Sequence, residues 1–345
     1  MTEAYDGRQV VGMDLHRRRS VLVRMTMDGR KLETARIEDS PAALRAVIAR
    51  AGNNPRVVIE ATYGWYWAVD VLEAAGAEVH LAHPLGVKAF SYRRVKNDER
   101  DCADLADLLR LGRLPEAWIA PAEVRGLREV TRYRHKLVGQ RTSCKDQVHA
   151  VLAKSGIPVT RSDIFGPGGG IWLDGLPLPQ PYAGKVASLR ALIAVLDGQI
   201  ALLEEQAAGL LAGDRGYAAI RRLPGIGPVP VAVIAAEIGD ITRFRTPGQL
   251  ASWAGLTPRH YESDTRVIRG HVSKQGSRML RWAVTEAIQR APAGTRPQQV
   301  KDAIITRRGA DARSIAKTAA ARILLTQVSC SMRDGHIRRA ASQAA

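Results

Sequence analysis

The chain has 345 residues, of which 46% are hydrophobic and 25% charged, a normal balance for a globular protein of two or three domains. The sequence has no run of 18 or more apolar residues and no basic-then-apolar leader, so neither a membrane span nor a signal peptide is expected. Three cysteines without a CxxC pair give no zinc-binding pattern and fit a reducing cytosol.

The net charge of +17 indicates a polyanionic partner, of which nucleic acid is the commonest. The excess is concentrated near the carboxyl end, where 17 Lys and Arg residues against 6 Asp and Glu follow from Arg259 onward. A solvated basic surface is the alternative explanation.

Residues 1–115 alternate strand and helix patterns and form the first predicted domain. Three strands, the second and third joined by a turn at Asp28-Gly29, precede alternating helices and strands. This order resembles a ribonuclease-H-like (RuvC-like) α/β fold with a mixed sheet. The predicted strands span 9–14, 20–27, 31–37, 56–61 and 78–82, the predicted helices 41–51 and 65–75, and a polar, Asp-rich helix 96–111 follows them.

Residues 116–212 are predicted to form a long helical coiled-coil segment. Its two helices, 122–155 and 185–211, flank a Gly/Pro-rich insertion at 156–181 that is expected to be a linker or loop. Leucines recur every seven residues in the second helix, at Leu189, Leu196, Leu203 and Leu210, with Ile193 and Ile200 in the alternate seam. An antiparallel hairpin with the first helix and a dimer both fit this pattern.

Residues 213–345 are predicted to be a mainly α domain. It begins with two helices around Leu223-Pro224-Gly225-Ile226-Gly227, a turn similar to helix-hairpin-helix DNA binders. Backbone N–H groups at Gly225 and Gly227 are candidates for phosphate binding, with a plain helical hairpin as the alternative. Short helices and loops are expected beyond Gly255, with one helix at 275–290.

Four carboxylates carry the strongest chemical signal. Asp14 and Glu60 end predicted strands, and strand ends of an open sheet share one crevice. Asp98 and Asp101 are three apart at a helix start, which puts them on one face. The negative charges of these side chains repel one another unless cations bind between them, and Mg²⁺ prefers such oxygen ligands. Spacing alone fits Asp104 with Asp101 equally well.

Each carboxylate also has an ordinary structural explanation. Asp14 could cap a turn, and Glu60 could pair with a basic residue such as Arg94. Asp98 and Asp101 could be helix-start acids favoured by the dipole.

The sequence resembles the DEDD transposases of the insertion-sequence 110/116/902 family, recombinases guided by a bridge RNA. The matching amino-terminal segments are VVGMDLH (10–16), VVIEATYGWYW (57–67) and VKNDERDCADLADLL (95–109). The matching carboxyl-terminal segments are residues 223–263, which begin LPGIGPVPVAVIAAEIGD, and GHVSKQGSRMLRWAVTEA (270–287).

The resemblance implies that Asp14, Glu60, Asp98 and Asp101 form a metal-binding tetrad. It selects Asp98 with Asp101 through the family pattern Lys-x-Asp-x-x-Asp, which starts at Lys96. It also implies a serine nucleophile in the carboxyl-terminal transposase domain, at Ser263, with Ser273 and Ser277 as fallback candidates. Asp264 follows Ser263 where the family usually has glycine.

The resemblance further implies a recombinase that cuts and rejoins double-stranded donor and target DNA. The expected cofactors are two Mg²⁺ ions per site and a non-coding guide RNA, the bridge RNA. The expected assembly is a homo-oligomer, dimer to tetramer, in the bacterial cytoplasm and associated with the nucleoid when active.

Basic residues in two regions are candidates for nucleic-acid contacts, with ordinary surface charge as the alternative. The candidates are Arg128 and Arg132 on the first long helix, then Arg259, Arg266, Arg269, Lys274 and Arg278 around and after Ser263.

Two other functions remain compatible with the sequence. One is a metal-dependent nuclease of the junction-resolving type without a covalent intermediate, which needs the carboxylates but not Ser263. The other is a non-catalytic nucleic-acid-binding protein, which needs neither.

Overall fold

The structure, a computed structural model, describes residues 5–90 and 97–337, apart from the side chain of Arg269. The chain folds into two compact units, residues 1–120 and 121–345. The second unit contains residues 121–212 of the predicted coiled-coil segment and the whole of the predicted carboxyl-terminal domain.

The amino-terminal unit is a mixed sheet with the order β3-β2-β1-β4-β5-β6. β1 is antiparallel to β2 and parallel to β4, and β4 is parallel to β5. This mixed α/β arrangement is consistent with the predicted ribonuclease-H-like fold. The strands are β1 Gln9–Leu15, β2 Arg19–Thr26, β3 Lys31–Glu38, β4 Arg56–Glu60, β5 Glu78–Ala82 and β6 Glu116–Ala117, and the helices are α1 Pro41–Ala49, α2 Trp65–Ala74, α3 Pro84–Lys88 and α4 Asp98–Arg110.

The side chains of β1 alternate between two buried faces of the sheet. Val11 and Met13 pack in the core that includes α1 and α2, whereas Val10 packs in the core that includes α4. Because successive strand residues point to opposite faces, Gly12 and Asp14 share the α4 side with Val10. From Val10 to Met13 the strand is therefore apolar on both faces, and Asp14 is the first polar residue after them.

Gly12 determines how closely α4 approaches β1. A Cβ atom at this position would lie 1.8 Å from the carbonyl oxygen of Cys102 on α4. The Cys102 thiol reaches past β1 to the carbonyl oxygen of Val21, at 3.1 Å, and its side chain is fully buried. The amino-terminal half of α4 is thus held against the strand that carries Asp14.

The second unit is mainly helical around α9, whose residues from Pro230 to Ile238 are all buried. α5, α8 and α11 pack against α9, and α13 packs against α8 and α11. Its elements are α5 Ala122–Lys154, α6 Pro167–Asp174, α7 Tyr182–Leu210, α8 Arg215–Arg221, α9 Pro228–Ile238, α10 Pro247–Trp253, β7 Pro258–Ser263, β8 Arg266–Val272, α11 Arg278–Gln289, α12 Arg296–Arg308 and α13 Arg313–Asp334.

Beyond Gly255, the predicted helix at 275–290 is confirmed as α11, but the prediction that the rest would be short helices and loops was wrong. α13 has 22 residues, and β7 and β8 form an antiparallel hairpin. The Gly/Pro-rich insertion also contains a helix, α6, whose Leu173 packs with Leu152 of α5 and Leu189 of α7.

α5 and α7 form an antiparallel helical hairpin. Arg134 pairs with Glu204 and Arg141 with Asp197, so partners descend along α7 as they ascend along α5. The buried positions on α7 are Val186, Leu189, Ile193, Ile200 and Ala207, whereas Leu210 of the predicted leucine repeat is exposed. The seam serves intramolecular packing, and a dimer through these helices stays a prediction.

Among the described residues, α7 is the one helix long and apolar enough to cross a membrane by length and composition. That is weak support for a span, because helices packed in a protein core meet the same criteria.

Replacing Gly12 with alanine tests the close approach of α4. The added methyl group must push α4 away from β1, so we expect the unfolding free energy to fall by about 2 kcal/mol or more, measured by thermal or denaturant unfolding. Gly126→Ala on α5 is the control, because in the described part of the chain no atom outside the backbone of α5 lies within 4 Å of an added Cβ there. It should gain up to about 1 kcal/mol. Equal stabilities of Gly12→Ala and the wild type would contradict the packing described.

Candidate active site

Asp14 and Glu60 lie at the same edge of the sheet. β1 and β4 run parallel with Met13 opposite Ile59, so the next residue on each strand is one of these carboxylates. Asp14 is mostly buried, with its side chain 15% exposed, and Glu60 is half-buried. The prediction that both acids end neighbouring strands is therefore confirmed in position.

α4 brings two more carboxylates into its first turn. Asn97 caps the helix, its side chain accepting hydrogen bonds from the backbone N–H groups of Glu99 and Arg100. Asp98 and Asp101 follow in the first turn, where the helix dipole favours negative charge. Lys96 of the family pattern and Arg94, the suggested partner of Glu60, lie outside the described residues.

His16 joins this group, although the sequence reasoning did not select it. Its Nε2 atom lies 3.1 Å from Oδ2 of Asp14 and 3.4 Å from Oδ2 of Asp98. The signal available in the sequence was its position two residues after Asp14, since alternate residues of an extended chain point the same way.

The charges of the carboxylates converge on the buried Cys102. Burial raises the pKa of this thiol, and the negative charges of Asp14, Asp101 and Asp98 raise it further. Cys102 is therefore an uncharged packing residue. Because the charges of Asp14, Asp98 and Asp101 all affect its thiol, these three predicted ligands lie near the same point of the fold. Asp104, the alternative that spacing left open, is exposed.

The donor set fits a divalent cation. One ligand atom each from Asp14, His16 and Asp98 lies within 4.8 Å of the others. Two ligands of one Mg²⁺, each about 2.1 Å away, lie at most about 4.2 Å apart, so small side-chain rotations are sufficient. That Glu60 and Asp101 complete the ligand set stays a prediction.

Ser263 is the last residue of β7, at the tip of the β7–β8 hairpin. It pairs with Arg266 across a two-residue loop, Asp264-Thr265, and every residue of β7 is exposed. Asp264 has φ of +50°, a left-handed conformation that glycine adopts easily and aspartate tolerates. The position thus needs the backbone that the family's glycine provides.

The two fallback serines have structural positions. The side chain of Ser277 caps α11 by accepting a hydrogen bond from the N–H of Leu280. The backbone N–H of Ser273 bonds to Thr257 where the hairpin begins. Ser263 remains the predicted nucleophile.

Arg128 and Arg132 make intramolecular contacts in the second unit. Arg128 donates to the carbonyl oxygens of Ala236 and Glu237 at the end of α9. Arg132 binds both carboxylate oxygens of the buried Glu237, at 2.8 and 3.1 Å. Because these contacts use their guanidinium groups, nucleic-acid binding by either residue stays a prediction that must compete with them.

The turn that contains Gly225 and Gly227 lies between α8 and α9 and packs against α11. Gly225 packs against α11, where an added Cβ would lie 2.6 Å from the carbonyl oxygen of Ala287. The N–H of Ile226 bonds to Leu223, and Pro228 and Pro230 at the start of α9 have no N–H. Binding of phosphate by Gly225 or Gly227 stays a prediction.

The other basic candidates surround the hairpin. Arg259 and Arg266 are exposed on its strands, Lys274 follows β8, and Arg278 is the exposed first residue of α11. The side chain of Arg269 lies outside the description.

Two family models match the chain. A DEDD transposase model of the IS110 type matches residues 11–156, and the model "Transposase IS116/IS110/IS902 family" matches residues 217–302. The first includes Asp14, Glu60, Asp98 and Asp101, and the second includes Ser263. Together the matched segments cover about two thirds of the chain.

Curated relatives agree with these matches. The chain is 30% identical to a probable family 20 transposase of Pseudomonas aeruginosa, over 63% of this chain and 64% of the relative. It is 24% identical to the transposase for insertion sequence element IS1111A of Coxiella burnetii, over 65% of this chain and 62% of the relative. The alignments thus span somewhat less than two thirds of these relatives. With both family models and these relatives in agreement, the chain belongs to the IS110/IS116/IS902 family of transposases.

Proposed function

We propose that this protein is a transposase that cuts and rejoins double-stranded DNA, with a Mg²⁺ site at Asp14, Glu60, Asp98 and Asp101 and a nucleophile at Ser263. The observation that carries the proposal is the group of Asp14, His16 and Asp98 at the carboxyl edge of the mixed sheet. The family membership supports the same chemistry, because the matched relatives are named as transposases.

The carboxylates would hold two ions per site, and the bound Mg²⁺ would polarise the scissile phosphate and stabilise developing negative charge. Asp14 is held by β1, and Asp98 by the first turn of α4. The Nε2 atom of His16 lies within 3.4 Å of an oxygen atom of each of these two carboxylates. The side chain of Asp14 is only 15% exposed, which strengthens its electrostatic interactions because less water screens it.

Ser263 would attack the phosphorus atom through its hydroxyl oxygen. The serine hydroxyl gives up its proton as a Ser–O–P bond forms, one P–O bond to a deoxyribose breaks, and the leaving sugar oxygen takes up a proton. Attack by a different sugar hydroxyl reverses these changes and releases the serine. Since each step exchanges one phosphoester for another, rejoining requires no ATP. A serine hydroxyl is a weak nucleophile and needs a base or a cation for its activation.

The proposed partners are donor and target DNA, a non-coding guide RNA and further copies of the chain, from dimer to tetramer. The net charge of +17 supports a polyanionic partner, and the guide RNA rests on the family resemblance. Sequencing of RNA that purifies with the protein tests this part directly, since guidance requires one discrete RNA species.

The junction-resolving nuclease and the non-catalytic binding protein are the rival functions. The first retains the metal site without the serine step, and the second retains neither. Substitutions at Asp14 and at Ser263 separate these functions.

Asp14→Asn tests the metal site. We expect the affinity for Mn²⁺, used as a spectroscopic substitute for Mg²⁺, to fall about tenfold or more in calorimetry and in titrations by electron paramagnetic resonance. Asp104→Asn, which removes an exposed acid of the same helix, should bind Mn²⁺ as the wild type does. Unchanged binding by Asp14→Asn would refute the site and support the non-catalytic alternative.

Ser263→Ala tests the covalent step. Protein purified with its RNA and incubated with DNA containing the ends of its element should form a denaturation-resistant protein–DNA adduct, seen as a gel shift in detergent. Ser263→Ala should form no adduct and should not recombine DNA. Ser273→Ala should form the adduct and recombine DNA as the wild type does. Strand cleavage that persists without any adduct in either protein would favour the nuclease.

A further inference from the structure

The β7–β8 hairpin has two chemically different faces. Residues directly opposite each other in an antiparallel pair lie on the same face, and alternate residues of one strand share that face. The register pairs Ser263 with Arg266 and Tyr261 with Ile268, so these four side chains lie on one face, here called the serine face. Arg259 extends the same face, as it alternates with Tyr261.

The position of Gly270 supports this assignment. A Cβ atom added there would lie 3.7 Å from Cβ of Arg259 and 4.0 Å from Cε2 of Tyr261. The glycine thus lies beside these two side chains and leaves the ring of Tyr261 uncovered. Tyr261 is 58% exposed.

The opposite face is closer to neutral among the described side chains. His260 and Glu262 contact each other there, with 3.2 Å between Nε2 and Oε2, and Val267 lies across from Glu262. The serine face has two arginines and no acidic residue, apart from Asp264 in the loop at the tip. The charge that suits a polyanion is therefore on the side of the serine hydroxyl.

The hairpin is anchored at its base. An added Cβ at Gly276 would lie 1.8 Å from the carbonyl oxygen of Trp253, and one at Gly255 would lie 2.1 Å from that of Gln275. Arg281 of α11 donates to the carbonyl oxygens of Ala254, Gln275 and Gly276. A fixed base presents the exposed tip in a defined direction from its own unit.

An exposed pair of strands is marginally stable by itself, and Tyr261 and Ile268 are costly to leave in water. A partner that covers the serine face must accept two positive charges and an aromatic ring. Nucleic acid meets both requirements, because phosphates bind arginine and every base has a face that stacks on an aromatic ring. Residues two apart on a strand are about 7 Å apart, comparable with the distance from a phosphate to the base of its own nucleotide.

We propose that the serine face binds DNA at the cut, with Arg266 holding the phosphate that Ser263 attacks and Tyr261 stacking on an adjacent base that has left the double helix. The inference rests on the proposed function, since it assigns positioning roles around the same nucleophile. It adds that the hairpin recognises an opened base step at the cleavage point, with Ile268 supporting the ring of Tyr261.

The test compares binding to two synthetic DNA duplexes, one fully paired and one with a single unpaired 5-iododeoxyuridine at its centre. The wild type should prefer the unpaired duplex and, on irradiation, cross-link to Tyr261, as mapped by mass spectrometry. Tyr261→Ala should lose about tenfold in affinity for the unpaired duplex and little for the paired one. Tyr261→Phe should retain the preference, because the ring does the stacking.

Two further variants separate the faces and the charges. Val267→Ala, on the opposite face of the same hairpin, is the matched control and should bind both duplexes as the wild type does. Arg266→Gln should weaken binding to both duplexes alike and lower the salt dependence by about one phosphate contact.

The proposal is overturned if Tyr261→Ala keeps the preference for the unpaired base, or if Val267→Ala loses it equally. Neither measurement requires DNA cleavage. Absence of a Ser263 adduct would therefore refute the covalent mechanism without deciding this proposal, and unchanged binding by Tyr261→Ala would refute this proposal without touching the adduct.

Discussion

The contact between Gly12 and the backbone of Cys102 determines the geometry of the amino-terminal unit. With a hydrogen atom in place of a side chain, α4 lies against β1 closely enough for its first turn to reach the end of the strand. Asp98 then lies near His16, which also contacts Asp14. A larger residue at position 12 would separate the helix from the strand and leave these acids as unrelated surface charges.

The negative charges of the clustered carboxylates repel one another, and the fold offsets this electrostatic cost in several ways. The helix dipole favours Asp98 and Asp101 in the first turn of α4, and Asn97 fixes where that helix begins. The imidazole of His16 lies between two of the acids. The remaining repulsion favours cation binding, because a divalent ion stabilises the arrangement that the backbone imposes.

Much of the amino-terminal unit was predictable because its signals are local. The strands are short runs of buried Val, Ile and Leu, and the acids stand at their ends, so Asp14 and Glu60 were identified from β1 and β4 alone. His16 was missed because a lone histidine beside arginines has no distinctive pattern. Its role follows from α4, which is more than 80 residues further along the chain.

The second unit was harder to predict because its decisive contacts are long-range. Arg132 was assigned to nucleic acid from its charge, yet it binds Glu237, which lies 105 residues later and is buried. β7 and β8 were missed since their alternation includes charged residues on both faces and their Asp264-Thr265 loop lacks a glycine. α13 was missed because its many alanines give only a weak hydrophobic periodicity. Its buried residues are covered by other helices of the unit, which the local sequence does not reveal.

A crystal structure of the protein soaked in Mn²⁺ would show whether the acids of β1 and α4 bind one metal ion. We expect an anomalous peak bound by Asp14 and Asp98 within reach of His16, and we expect this peak to disappear in Gly12→Ala crystals, where α4 must move away. A Mn²⁺ peak elsewhere, or none at Asp14 under saturating Mn²⁺, would contradict this expectation.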